Sequence, residues 1–168
     1  ALGAQYTENK AATLYPVWQI KTYSVKLYPG ADGKGEMREL TKNHGEAVIL
    51  PGDLFTRAGY RQIGWALYDG GERAYGTDAI YEADEAVSLY PVWQEISDYN
   101  IVFDTAGGSA VVSRTGLTWS AKVLDGVIPP TRDGYEFLGW KYGDRAVGAD
   151  DTYGDIAEND SVKTVTLT

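Results

Sequence analysis

The chain has 168 residues, with 24 acidic against 15 basic side chains and a formal net charge of −9. None of its Lys and Arg form the block that neutralising a nucleic-acid backbone requires, so the acidic balance reads as solubility and self-repulsion. The absence of cysteine excludes disulfides, thiolate catalysis and Cys-based metal sites, and no apolar run approaches the length that crosses a bilayer.

The first recognisable element is Thr13-Leu14-Tyr15-Pro16-Val17-Trp18-Gln19, which returns 75 positions later as Ser88-Leu89-Tyr90-Pro91-Val92-Trp93-Gln94. Next, Tyr23-Ser24-Val25-Lys26-Leu27 alternates apolar and polar residues, the pattern of a strand with one buried face. It runs into the turn Pro29-Gly30-Ala31-Asp32-Gly33. A variable stretch follows, in which Glu36 to Leu40 and Ala47 to Leu50 read as short strands. Pro51-Gly52 then marks a turn, and Gly59 is expected to supply positive φ before a strand from Tyr60 to Leu67. A polar segment at about 77–86 is the expected place for a short helix, and the unit closes with Leu89-Tyr90-Pro91-Val92-Trp93. Pro91 cannot donate to a ladder, so an edge or bulge is expected there.

The order then repeats. Tyr99-Asn100-Ile101-Val102-Phe103 should point Tyr99, Ile101 and Phe103 at a core, and Asp104-Thr105-Ala106-Gly107-Gly108 turns. Ala110 to Ser113 and Lys122 to Leu124 are the short strands of this variable stretch. Pro129-Pro130 and Gly134 precede a strand expected over Tyr135 to Tyr142, and 149–158 is the second helical candidate. The pair Gly59-Tyr60 with Gly64-Trp65 recurs as Gly134-Tyr135 with Gly139-Trp140, again 75 positions on. Residues 1–20 are therefore expected to be the C-terminal strand of a preceding repeat, 21–95 a full repeat, and 96–168 a second repeat truncated at its last strand.

That arrangement implies a piece of a longer array, with a spare closing strand in front and a deficient one behind. Head-to-tail strand donation between molecules is one consequence. The connectors Gln19 to Thr22 and Gln94 to Asp98 contain Ile20 and Ile96 and no Gly, so bending between units should be limited and the array elongated.

These blocks resemble the Listeria–Bacteroides repeat, also called the internalin B-repeat. The resemblance rests on Tyr99 to Gly108, on Pro130 to Trp140, and on Leu89 to Trp93 with Pro91 where the family usually has Ala. The first full repeat departs from it, with Tyr28-Pro29-Gly30 and Gln62-Ile63 in place of the usual residues. The resemblance implies tandem β-grasp-like units, mainly β with mixed sheets and at most one short helix each. It also implies secreted or wall-attached bacterial surface proteins in which such units act as stalks or adhesive modules rather than enzymes.

The residues themselves point the same way. The only histidine, His44, sits among Lys42, Asn43, Gly45 and Glu46 in a turn-like stretch, which reads as an exposed loop rather than a Ser-His-Asp centre. Asp78, Asp84 and Glu85, or Asp150, Asp151, Asp155 and Glu158, contain enough carboxylates for a glycosidase pair or a calcium site. A solvated acidic surface is the simpler reading, and no cofactor or metal is expected. Tyr60, Trp65, Trp93, Tyr135 and Trp140 recur between copies and are expected to be packing positions. Trp119, Tyr68, Tyr75 and Tyr142 have no such duty and are the candidates for stacking on a glycan or contacting a host or neighbouring-cell protein. The expectation is a non-catalytic extracellular stalk or adhesion scaffold on a cell surface or wall, with ligand binding through exposed aromatics as the alternative.

Overall fold

The computed structural model describes Gln5 and residues 7–168; residues 1–4 and 6, the start of the leading segment, lie outside the described residues. The chain is mainly β, and its strands form two successive sets. The first comprises β1 (Thr22–Leu27), β2 (Arg38–Asn43), β3 (Val48–Ile49), β4 (Tyr60–Ala66), β5 (Tyr75–Gly76), β6 (Ile80–Tyr81) and β7 (Val87–Glu95). Five of them make one mixed sheet in the order β2-β1-β7-β4-β5, and β3 pairs with β6 beside it. Within the sheet β1 and β7 run parallel, while β1–β2, β7–β4 and β4–β5 are antiparallel. The alternation in β1 does what its pattern requires: Val25 and Leu27 are fully buried, and they pack with Leu50, Phe55, Trp65, Tyr81 and Leu89.

The second set comprises β8 (Tyr99–Phe103), β9 (Arg114–Leu117), β10 (Trp140–Tyr142), β11 (Arg145–Val147), the single-turn helix α1 (Tyr153–Ile156) and β12 (Thr164–Leu167). Here β12 runs parallel to β8, β8 is antiparallel to β9, and β10 and β11 form a hairpin. Tyr99, Ile101 and Phe103 face the core while Val102 is exposed, so the period-2 reading of this strand holds. They pack with Trp140, Tyr153, Val165 and Leu167. The parallel pair β1–β7 is thus matched by β8–β12, with Leu27 opposite Leu89 and Phe103 opposite Leu167. Trp65 and Trp140 are both buried, as are Tyr81 and Tyr153.

Pro91 has a defined place in this scheme. The parallel ladder ends where Tyr28 N–H donates to the Leu89 carbonyl (2.9 Å), so the missing donor of Pro91 falls on a side that β1 has already left. The expected irregularity lies opposite, as a bulge in β4 between Gln62 and Gly64.

Several expectations need correcting. The short strand expected over Ala110 to Ser113 lies a few residues later, as β9, and Lys122 to Leu124 contributes only an isolated bridge from Lys122 to Thr152. The helical turn forms in the second repeat alone. There Asp155 accepts from Thr152 N–H (2.8 Å) and Thr152 Oγ1 (2.6 Å), which closes the first turn. Counting from the shared Tyr81 and Tyr153, the first repeat has Ile80 and Ala83 at those places. Lacking a cap, it pairs as β6 instead.

The strand expected over Tyr135 to Tyr142 is reduced to Trp140–Tyr142. In the first repeat, Tyr60 to Trp65 pair with Glu95 to Pro91 of the closing strand. In the second, the pairing stops after one rung: Lys141 and Thr168 exchange hydrogen bonds of 2.8 and 2.9 Å, and no strand lies against 135–139 among the described residues. Tyr135, expected as a packing residue, is consequently exposed. Among the described residues, 7–20 form no strand, which leaves the expected closing strand of a preceding repeat untouched.

Candidate functional site

The non-repeating parts of the chain fall at two places, a junction between the repeats and a loop cleft on the second one. Gly59 and Gly134 both adopt positive φ, 77° and 73°, the left-handed conformation that glycine enters without a Cβ penalty. At Gly59 a second demand is present: a Cβ there would collide with Cβ and Cγ of Trp119, whereas one on Gly134 would meet nothing within 4 Å. Trp119 is thus wedged between the repeats. Its ring continues inward, lying 5.4 Å from Tyr99 and 6.0 Å from Tyr153 between centroids. It also covers Gly154, whose N–H donates to the Trp119 carbonyl at 2.9 Å. Around the wedge, Ile96 N–H donates to the Gly59 carbonyl (2.8 Å), Gly59 N–H to Asp160 Oδ2 (3.4 Å), and Ser120 Oγ to Glu95 Oε1 (3.2 Å). These bonds fasten the short connector on both sides.

The structure disperses the four aromatic candidates. Tyr75 packs edge-on against the buried Tyr81 at 5.7 Å between centroids. Tyr142 is half-buried on the core of the second repeat, and Trp119 is half-buried at the junction. Tyr68 alone is largely exposed. No common platform brings them together. A cleft of about 400 Å³ lies elsewhere, between loops 109–114 and 125–129. Val112 and Ile128 on its rim are exposed apolar side chains.

The polar candidates are held by neighbouring structure. Asp84 accepts from the Lys42 ammonium (2.6 Å) and the Gly45 N–H (3.0 Å), and its other oxygen lies 2.8 Å from His44 Nδ1. The Lys42 side chain is fully buried, so it needs this partner. The Lys42 hydrogen bond, then the Gly45 N–H, hold the Asp84 carboxyl below the usual carboxylate range. His44 is exposed, as its turn context suggested. Tyr23 Oη also meets His44 at Nδ1, at 3.1 Å. A Tyr–His–Asp relay would use the two ring nitrogens separately, whereas here both partners converge on one. The other carboxylates act locally: Asp150 binds Lys122 (2.7 Å), Asp151 pairs with Arg145 (2.9 Å) and accepts from Gly148 N–H (2.8 Å), and Asp155 caps α1. Among the described residues no group of three or more His, Asp or Glu is placed to hold a metal ion.

Lys42 was not among the sequence candidates, although its signal is present. The alternation places it on the same face of β2 as Leu40, a core-facing position. Gly154 and Asp160 carried no such mark, because they matter only through contacts that the fold brings to the junction.

Comparison with known proteins agrees with the two-copy architecture. The description "Listeria-Bacteroides repeat domain" matches residues 28–92 and again 99–164. Two proteins of Evansella cellulosilytica, named "Putative membrane protein" and "Putative Gly-rich membrane protein", are each 28% identical over 134 residues. The match takes in 80% and 79% of this chain but only 19% and 14% of those two proteins, so the chain spans less than a fifth of the relatives it matches. No solved structure matches it. Among the described residues no helix is long and apolar enough to cross a membrane. On the strength of the two successive matches, which together take in most of its length, the chain belongs to the Listeria-Bacteroides repeat domain family.

Proposed function

We propose that this chain is a non-catalytic repeat segment of a bacterial cell-surface protein, extracellular or wall-attached, that works as a spacer or adhesion scaffold. The observation that carries the reading is the junction: Trp119 is wedged against Gly59, and Ile96 is bonded to it across a connector without glycine. A spacer needs each unit to hold the next at a set angle, and this contact restricts the motion between units that is otherwise the default. Burial of the recurring Trp65 and Trp140 supports it, since what repeats in this chain is core. So do the two relatives, whose names call them membrane proteins and whose lengths far exceed this chain. Small-angle scattering tests the reading: a rod-like profile that retains its length when glycerol or salt is varied is expected. A broad distribution of end-to-end distances overturns it.

A second reading has one observation in its favour. The cleft between loops 109–114 and 125–129 lies in the stretch that differs most between copies, and it carries exposed apolar side chains at Val112 and Ile128. A glycan or protein ligand on a host or neighbouring cell would fit there. Glycan-array or matrix-protein binding that disappears on Ile128→Asp supports that reading, and silence across the screen supports the spacer.

A further inference from the structure

Two loops are longer in the first repeat than in the second, and the fold brings them together. The turn after β1 takes six positions from Leu27 to Gly33, against five from Phe103 to Gly108. After Trp65 the chain takes ten positions to reach its partner Tyr75, whereas Trp140 reaches Val147 in seven. The two lengthened loops lock on one another. Asp69 Oδ2 accepts from Ala31 N–H (2.8 Å), and a Cβ on Gly30 would stand 2.5 Å from Asp69 Oδ1.

Between them opens a cleft of about 200 Å³, floored by β7 at Pro91 to Trp93, past the point where β1 has left that strand. Its charged groups are Asp32, Asp69 and Arg57. Arg57 lies 3.9 Å over the Tyr60 ring and pairs with Asp32 at 3.1 Å. In the second repeat Arg132 lies over Tyr135 in the same way but donates to the Ala106 carbonyl. The arginine is therefore shared packing, and the Asp32 carboxylate, 62% exposed, is what the first repeat adds. Tyr68 stands beside the cleft. It is 65% exposed, yet one side of its ring is fixed, since a Cβ on Gly71 would come within 3.0 Å of it. An aromatic ring held in place with its other side in water is a stacking surface.

We propose that this cleft binds a neutral sugar residue of a glycan. Sugar hydroxyls donate to Asp32 and Asp69, because a carboxylate offers about four acceptor sites and each of these two uses one in the contacts just given. The apolar face of the ring packs on Trp93, and Tyr68 stacks on the next residue of the glycan. Gly70 and Gly71 line the opposite wall without side chains and leave room for it. Two carboxylates against one guanidinium make the cleft net negative, on a chain whose net charge is −9, so uronic, sialic and sulfated sugars are repelled. A peptide strand suits the floor poorly, since Pro91 has no N–H to offer it. The two loops are braced against each other before any ligand arrives, which keeps the entropy cost of binding low. This site is separate from the cleft at 109–114 and 125–129, and it stands whether or not the spacer reading does.

Amide NMR titration of the full 168-residue chain tests it, with cellohexaose, chitohexaose and mannohexaose as neutral probes and trigalacturonic acid as the anionic one. At least one neutral oligosaccharide should bind saturably, with Kd of about 1 mM or tighter. The signals that move should be those of residues 30–33, 68–71 and 91–93. Tyr68→Ala and Asp32→Asn alter exposed side chains, and their amide spectra check that the fold is kept. Each should weaken binding about tenfold, the scale of losing one stacking surface or one charged hydrogen bond. Silence from all three neutral probes at about 20 mM, well above that Kd, overturns the proposal. So do shifts confined to 109–114 and 125–129, binding unchanged in both variants, or tighter binding of trigalacturonic acid.

Discussion

Among the described residues Lys42 is the one charged side chain in the buried set, and its partner Asp84 reaches it from the segment just before β7. The folded pKa of Asp84 lies below its ordinary value of 3.8. The ion pair therefore contributes stability above that pH and loses it as pH falls through the folded value. Asp84→Asn should lower the melting temperature of the first repeat at pH 7, where it strands a buried ammonium, and the difference should shrink as pH falls below 3.8 through the folded value; a series of thermal scans from pH 7 downward decides it. Tyr153 gives the opposite dependence. Burial, followed by the neighbouring Tyr142, Tyr99 and Asp98, pushes its hydroxyl from 10.0 up to about 12. Its neutral form is favoured by folding, so the contribution is complete below pH 10 and disappears between pH 10 and about 12. Burial raises Tyr81 in the first repeat too, so both repeats should weaken in alkali, with Tyr153→Phe removing the steeper part. The buried Trp65 stacks edge-on against Phe55 and donates its indole N–H to the Pro51 carbonyl at 3.0 Å. Trp65→Ala should cost about 3–5 kcal/mol of first-repeat stability, read from urea unfolding.

The helix α1 and the strand β10 show how equivalent segments diverge. One polar pair decides whether the stretch before the closing strand coils or pairs. Thr152 and Asp155 close a turn, and Ile80 and Ala83 leave the chain extended against β3. Asp155→Ala should lower the melting temperature of the second repeat, because it removes both bonds to Thr152 that close the first turn, and calorimetry on the full chain measures it. The Thr152–Asp155 pair was legible in the sequence, but its absence from the first copy was the part that mattered. The extent of β10 was not legible. Tyr135 to Trp140 carry the same Gly-Tyr and Gly-Trp signature as Tyr60 to Trp65, and strand formation there depends on a partner across the sheet. Intrinsic β preference decides little without one.

The two repeats meet at a contact that neither contains by itself. Trp119 spends part of its surface on Gly59 of the first repeat and the rest on Tyr99 and Gly154 of its own. Trp119→Ala should cost about 2 kcal/mol, below the roughly 3–5 kcal/mol of a fully buried tryptophan, and should also broaden the angle between the repeats in small-angle scattering. A ligand-contact role predicts no such broadening. The sequence by itself determined the mainly β class, the two-copy organisation, the family and the inward residues of β1 and β8. Those follow from period, spacing and glycine placement, which are local properties of a chain. Only the tertiary structure decided that Lys42 is buried with Asp84 and that Trp119 serves the junction. Each of these depends on which distant segment is present to supply a partner, and a strand or a buried charge is stable only when that partner arrives.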